Sequence, residues 1–318
     1  MTIPLTITTG GTSIAQSWEI PSRAQCLVCH TPQAGHALSA NTRQFNMDSI
    51  IAGYPGNQLD LFRQEGFFTA EPPSSNILPR HLRPDEMDYP VEARVRSYLD
   101  VNCAYCHQTG SSTPTGWDGR AALSLAATGL INGPAVNHGG DPLNKLVVPG
   151  DAAHSVVLSR AAATNGFTRM PPLATNQTDS VNIALLTEWI ASSLPAKQSY
   201  DPWRQGFFGS LTSPEGAPAF DADGDGQTNR HEFLIGSSPR DGAGGFNPQA
   251  SLAGNSFRLT FTLPADRTAT VETSADLGAW SLWDVPGNNG VPRLPGPQIL
   301  EGPRPASRQY FRVLVKEN

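Results

Sequence analysis

Cysteine is scarce in this chain: four residues in 318, and methionine is equally rare at four. All four cysteines fall in two short motifs, so none is left over for disulfides. Charged residues make up only 16%, and the net charge is −6. That balance gives no basic footprint for nucleic acid. No apolar run approaches the roughly 20 residues needed to span a bilayer. The first residues, MTIPLTITTGG, lack the basic and apolar regions of a signal peptide. No hydrolase triad, phosphate loop or paired-carboxylate motif is found. What the chain has is glycine and proline, 30 and 28, with 38% hydrophobic residues. This is the composition of a loop-rich globular protein, and the length predicts two to four domains.

The cysteine motifs are Cys26-Leu27-Val28-Cys29-His30 and Cys103-Ala104-Tyr105-Cys106-His107. Two thiols three residues apart share one helical turn and can reach the two vinyl groups of one haem. The adjacent histidine is then placed as proximal ligand to the iron. A four-cysteine zinc site leaves both histidines unexplained. A redox dithiol expects a thioredoxin-like βαβ context, which the sequence lacks. The reading is therefore two covalent haems, held by Cys26, Cys29, His30 and by Cys103, Cys106, His107.

Around the second motif, Val91, Val95, Tyr98 and Leu99 mark an amphipathic helix that runs into Cys103. Val181, Leu185, Leu186, Trp189 and Ile190 mark another, closed by Pro195. Between them stands Arg169-Met170-Pro171-Pro172-Leu173, and Met170 follows His107 by 63 residues. A thioether on a proline-stiffened loop is a candidate distal ligand, although Met170 could instead fill a core gap.

This order of helix, motif, long loop, Met-Pro loop and C-terminal helix resembles class I cytochrome c domains. The resemblance implies that His107 and Met170 are the axial pair and that Tyr98 and Trp189 pack where the first and last helices cross. Before the second motif, Pro4–Thr8 and Ile14–Ile20 alternate about Gly10-Gly11 and predict a β-hairpin. The words Thr-Arg-Gln-Phe-Asn (42–46), Asn-Gln-Leu (57–59) and Tyr-Leu-Asp-Val-Asn-Cys (98–103) accompany the motifs. From about Trp18 to Ile190 the chain resembles bacterial dihaem cytochromes, whose haem region is often appended to quinoprotein-type sugar dehydrogenases. For the first haem Met47, Met87, His36 and His81 all offer distal donors, and a five-coordinate iron stays open. His138 and His154 read as loop histidines.

Asp221-Ala-Asp223-Gly-Asp225-Gly226-Gln227-Thr-Asn229-Arg-His-Glu232 matches an EF-hand loop at every ligand position. Asp221, Asp223 and Asp225 supply carboxylates, Gln227 its carbonyl, and Asn229 and Glu232 complete the calcium set. The segment resembles thrombospondin-type-3-like and dockerin-like calcium repeats. After a Gly-rich stretch (Gly242 to Gly245), the strands 257–263, 269–273 and 310–315 predict a small antiparallel β-sandwich. Trp280 and Trp283 read as core or edge residues, with a carbohydrate platform as the alternative.

The fold class expected is multidomain: mainly α cytochrome c-like haem domains, a calcium-loop segment and a β-sandwich. The boundaries are 1–88, 89–199, 200–245 and 246–318. The function expected is electron transfer from a dehydrogenase domain or redox partner protein, with a dihaem peroxidase as the alternative. The resemblance implies haem attachment outside the cytoplasm, and a calcium loop fits an exported chain, so the expected location is periplasmic or extracellular, with export information upstream of Met1.

Overall fold

Gly10 and Gly11 take φ of 55° and 80°, as a two-residue hairpin turn between right-twisted strands requires. In this computed structural model they join Thr2–Thr9 to the antiparallel Thr12–Glu19, with Ile3 opposite Trp18 and Ile7 opposite Ile14. The structure describes residues 1–38, 40–111, 116–173 and 175–318. The chain forms two compact units.

The first unit comprises Met1–Asn41, His81–Met87 and Val91–Ala196. After the hairpin come the short helix Arg23–Cys29 and, later, the helix Val91–Asn102. A further helix, Val156–Ala162, precedes Ser180–Glu188, which continues through a π-helical stretch, Trp189–Ser193, to a last turn at Leu194–Ala196. Val95 and Leu99 are fully buried against Leu186, Trp189 and Ile190, and Tyr98 flanks the same core. Each such side chain contributes about 1.5–3 kcal/mol by leaving water. Two arginines are also buried on the helix Val91–Asn102. The Arg94 guanidinium donates to Pro84 O at 2.7 Å, and Arg96 donates to Arg120 O and Leu123 O at 2.9 and 3.0 Å. They replace lost water with carbonyl partners and pin two loops to the helix.

The second unit comprises Thr42–Arg80, Asp88–Pro90 and Lys197–Asn318. Near its start Asn46 is buried and donates to Ser75 O and Leu78 O, while accepting from the Asn57 side chain at 2.8 Å. Asn57 also caps the helix Gln58–Gln64. The segment after 197 holds the helices Tyr200–Phe208 and Asn229–Ile235. Two three-stranded antiparallel sheets follow. One orders Gln249–Ala253, Ser256–Leu263 and Gly296–Pro303; the other orders Tyr310–Glu317, Arg267–Ser274 and Ser281–Leu282. Leu259, Phe261, Val271, Trp283, Val285 and Leu300 form one core between strands of both sheets. At its centre the buried Asn288 side chain donates to Val271 O and Trp283 O and accepts from Val271 N–H.

The mainly α cytochrome c-like architecture is overturned. The chain is a mixed helix and sheet protein, 24% helix and 22% strand, with several small antiparallel sheets. The resemblance to class I cytochrome c and to bacterial dihaem cytochromes does not extend to the fold. The physical reason lies largely between His107 and Val156. Among its described residues, turns, a 3-10 stretch at Ala126–Thr128 and isolated bridges such as Pro134↔Lys145 occupy that segment. Its frequent Gly and Pro stop helices from propagating. Elsewhere, alternating β-branched residues form strands in both units.

Candidate functional site

Ser22 caps the helix Arg23–Cys29 through a capping box with Gln25. The helix puts Cys26 and Cys29 one turn apart, and His30 follows as its C-cap. The His30 ring donates through Nδ1 to the His36 carbonyl at 2.5 Å. That bond fixes the tautomer and leaves Nε2 free to bind a metal. His36 holds φ at 61° to offer that carbonyl.

The second motif continues from the helix Val91–Asn102. Cys103 N–H donates to Leu99 O, and His107 N–H to Cys103 O. The His107 ring stacks on Trp117 at 4.5 Å and 25°, and its Nδ1 is buried without a partner. Burial, helped by the Arg160 charge, lowers the His107 pKa to about 4, so the imidazole is neutral. A neutral ring is the ligating form.

The two motifs converge. Cys29 Sγ and Cys106 Sγ stand 3.2 Å apart. Cys26, Cys29, His30, Cys103, Cys106, His107 and Met170 all line one cavity of about 440 Å³. A second cavity of about 260 Å³ is lined by Cys103, His107 and Met170 again, with Tyr98, Trp117 and Arg160. Met170 is set by its own N–H, which donates to Arg160 O at 3.0 Å, while neighbouring Arg169 anchors the loop on Thr175 O and Thr178. The larger is the size of a small-molecule or cofactor pocket, and both are lined largely by apolar side chains.

Other chemistries fit less well. Burial, with the neighbouring Cys106, pushes the Cys103 thiol up to about 12; burial and the Cys29 thiol do the same to Cys106. A catalytic nucleophile, or the attacking thiol of a fast redox dithiol, needs the opposite shift. Among the described residues, the only group of three or more His, Cys, Asp or Glu within 4.8 Å of one another is Asp221, Asp223 and Asp225. The four thiols are therefore not gathered as a tetrahedral zinc site.

The candidates for a distal ligand to a first haem are scattered. Met87 is exposed, and its sulfur accepts from Arg94 at 3.2 Å. His81 lies 3.8 Å from Asp100, the His36 side chain is exposed, and Met47 belongs to the second unit. Nothing in the sequence signalled the approach of Cys29 to Cys106 or the stacking of Trp117.

In the second unit, Asp221 accepts from the N–H groups of Gly224 and Gly226, both at 2.8 Å. Asp225 accepts from the Gln227 N–H and side chain, and Gln227 also reaches Gly244 O. The Gly-rich stretch thus folds back onto the loop. The Asn229 amide donates to Glu215 O and Ala217 O. Asp223 Oδ2, Asn229 Oδ1 and Glu232 Oε2 are buried without partners. Burial first, then the charges of Asp223, Asp225 and Asp221, raises the Glu232 carboxyl to about 7. Its oxygens stand outside the 4.8 Å group of the three aspartates. Oxygens of this kind are what a hard cation takes as ligands, and Asp221, Asp223 and Asp225 are a group that could hold one.

Compared with protein-family models, curated proteins and solved structures, the chain matches none. The resemblances drawn from the sequence thus gain no relative in support. Among the described residues no helix is long and apolar enough to cross a membrane.

Proposed function

We propose that this chain is an electron-transfer protein that carries two covalent haems. The observation that carries the reading is the convergence of both CxxCH motifs, with Met170, on one cavity. Cys26, Cys29 and His30 would hold the first haem. Cys103, Cys106 and His107 would hold the second, with Met170 as its distal ligand. A bound haem supplies a one-electron couple at iron. The chain's own contribution is placement. The His30–His36 bond orients one imidazole, the Trp117 stack positions the other, and largely apolar side chains line the cavity. Burying an iron site in apolar surroundings tunes its potential. A redox partner protein or dehydrogenase domain supplies the electrons in this reading, in a periplasmic or extracellular setting.

Replacing Met170 with Ala tests the assignment. The haem-loaded variant should lose the thioether-to-iron charge-transfer absorption, and one of its two potentials should fall. An unchanged spectrum overturns the role of Met170. The dihaem peroxidase reading has less support. It needs an acid–base group beside an open iron, and the cavity's described lining carries no carboxylate and no histidine except His30 and His107.

The second site reads as a calcium brace held by Asp221, Asp223, Asp225, Gln227, Asn229 and Glu232. Its surroundings connect it to the sheets of the same unit. Arg230 on the helix Asn229–Ile235 pairs with Glu317, and Arg267 donates to Phe233 O at 2.9 Å.

A further inference from the structure

We propose that Cys29 and Cys106 form a disulfide in the haem-free chain, so that oxidation locks the two motifs together before either is loaded. The cross-link rests on geometry alone. Its consequence, that haem uptake requires prior reduction, rests on the function proposed above.

Four observations support the pair. The sulfurs stand 3.2 Å apart although the residues are 77 positions apart in sequence. That is a direct thiol–thiol contact, and about 1 Å of closure completes the roughly 2.05 Å bond. The pairing has support on both sides, because Cys106 Sγ also lies 3.7 Å from Val28 O on the helix that carries Cys29. Both residues line the open 440 Å³ cavity, where a small oxidant can enter. Cys29 sits at the last position of a seven-residue helix that buries none of its residues. Little packing opposes its movement.

The chemistry is thiol–disulfide exchange with a low-molecular-weight disulfide such as oxidised glutathione. The Cys29 thiolate attacks that disulfide and expels one glutathione thiolate. The second cysteine then attacks the mixed disulfide, forms the Cys29–Cys106 bond and expels the second glutathione. Two cysteine thiols lose their protons and are oxidised; the oxidant leaves as two glutathione thiols. Each motif then lacks one of the two sulfurs it needs for a haem, while Cys26 and Cys103 stay reduced.

The test uses the full chain without haem. After oxidised glutathione, free thiols should fall from the four in the sequence to half that number. Trypsin should then release the segments 24–43 and 97–120 as one linked species, with fragmentation placing the bond at Cys29 and Cys106. Cys29→Ser and Cys106→Ser should each abolish the link, and Cys26→Ser should keep it. Disulfides confined within each motif, or four thiols still free, overturn the inference. The reduced chain should then take up haem covalently and the oxidised chain should not. Uptake by both breaks the gating claim. Uptake by neither, with the link mapped, breaks the haem reading and leaves the disulfide standing.

Discussion

The helix that carries Cys26 and Cys29 buries none of its residues, and Leu27 and Val28 are 65% and 44% exposed. The helix that runs into Cys103 buries Val95 and Leu99 completely. The same five-residue motif is thus set in two different ways. The first is held by local hydrogen bonds: the Ser22–Gln25 capping box and the tie from His30 to the His36 carbonyl. The second is held by the core around Trp189 and Leu186. A motif that depends on chemistry at one cavity needs only its sulfurs and imidazole in place, and either local or tertiary forces can supply that.

The comparison breaks most readily at the core. Leu99→Ala should destabilise the first unit by about 2–5 kcal/mol. Val28→Ala, on the exposed helix, should change stability by no more than about 0.5 kcal/mol. Thermal melting followed by circular dichroism checks both. Equal effects would mean that the first motif is packed as firmly as the second.

Calcium sharpens the contrast from the other unit. At a hundredfold excess over its dissociation constant a ligand of the folded form adds about 2.7 kcal/mol. Chelation, or Asp221→Ala, should remove that gain and expose residues 221–245 to protease. Haem absorption should not change, since the proposed iron ligands lie in the first unit. A strong shift of a haem potential would make the loop a regulator instead of a brace.

Ser22→Ala should cost about 1 kcal/mol locally. Amide exchange across Arg23–Cys29 should rise while the helix Val91–Asn102 stays protected. Uniform loosening of both helices would contradict the division between local and core support.

The subtlest test is one of sign, on the chain without haem or calcium. Burial lowers His107 to about 4 from its ordinary 6.5. The unfolded chain binds more protons in that window, so stability is present above 6.5 and is lost as pH falls toward 4. Burial and three aspartates raise Glu232 to about 7 from its ordinary 4.5. There the folded chain binds more protons, so stability is present below 4.5 and is lost as pH rises toward 7. Met170→Ala should leave both slopes in place; His107→Phe should flatten only the first, and Glu232→Gln only the second. Melting each variant across this range measures them.

Much of the candidate chemistry was legible because it is written in fixed local spacings: the two CxxCH motifs, the loop Asp221–Glu232 and the apolar positions Val95, Leu99, Trp189 and Ile190. The overall class was not. The helices flanking Cys103 and Met170 suggested a mainly α protein, but their pattern says nothing about the residues between them, where turns prevail. The approach of Cys29 to Cys106 is a tertiary contact with no local signature. Arg94 and Arg96 defeat a polarity pattern, because carbonyl partners let charged side chains lie in the interior. Asn46 and Asn57, noticed only as parts of two sequence words, prove to be bonded to each other. Gly242 to Gly245 read only as a Gly-rich stretch before the strands, yet Gly244 O accepts from Gln227 inside the loop Asp221–Glu232.

The most direct test of the central claim is the haem content of denatured protein. Chain purified after export through a haem-attachment system, then unfolded in alkaline pyridine, should keep a c-type haemochrome spectrum with two haems per chain. A colourless chain, or one haem per chain, would contradict the account.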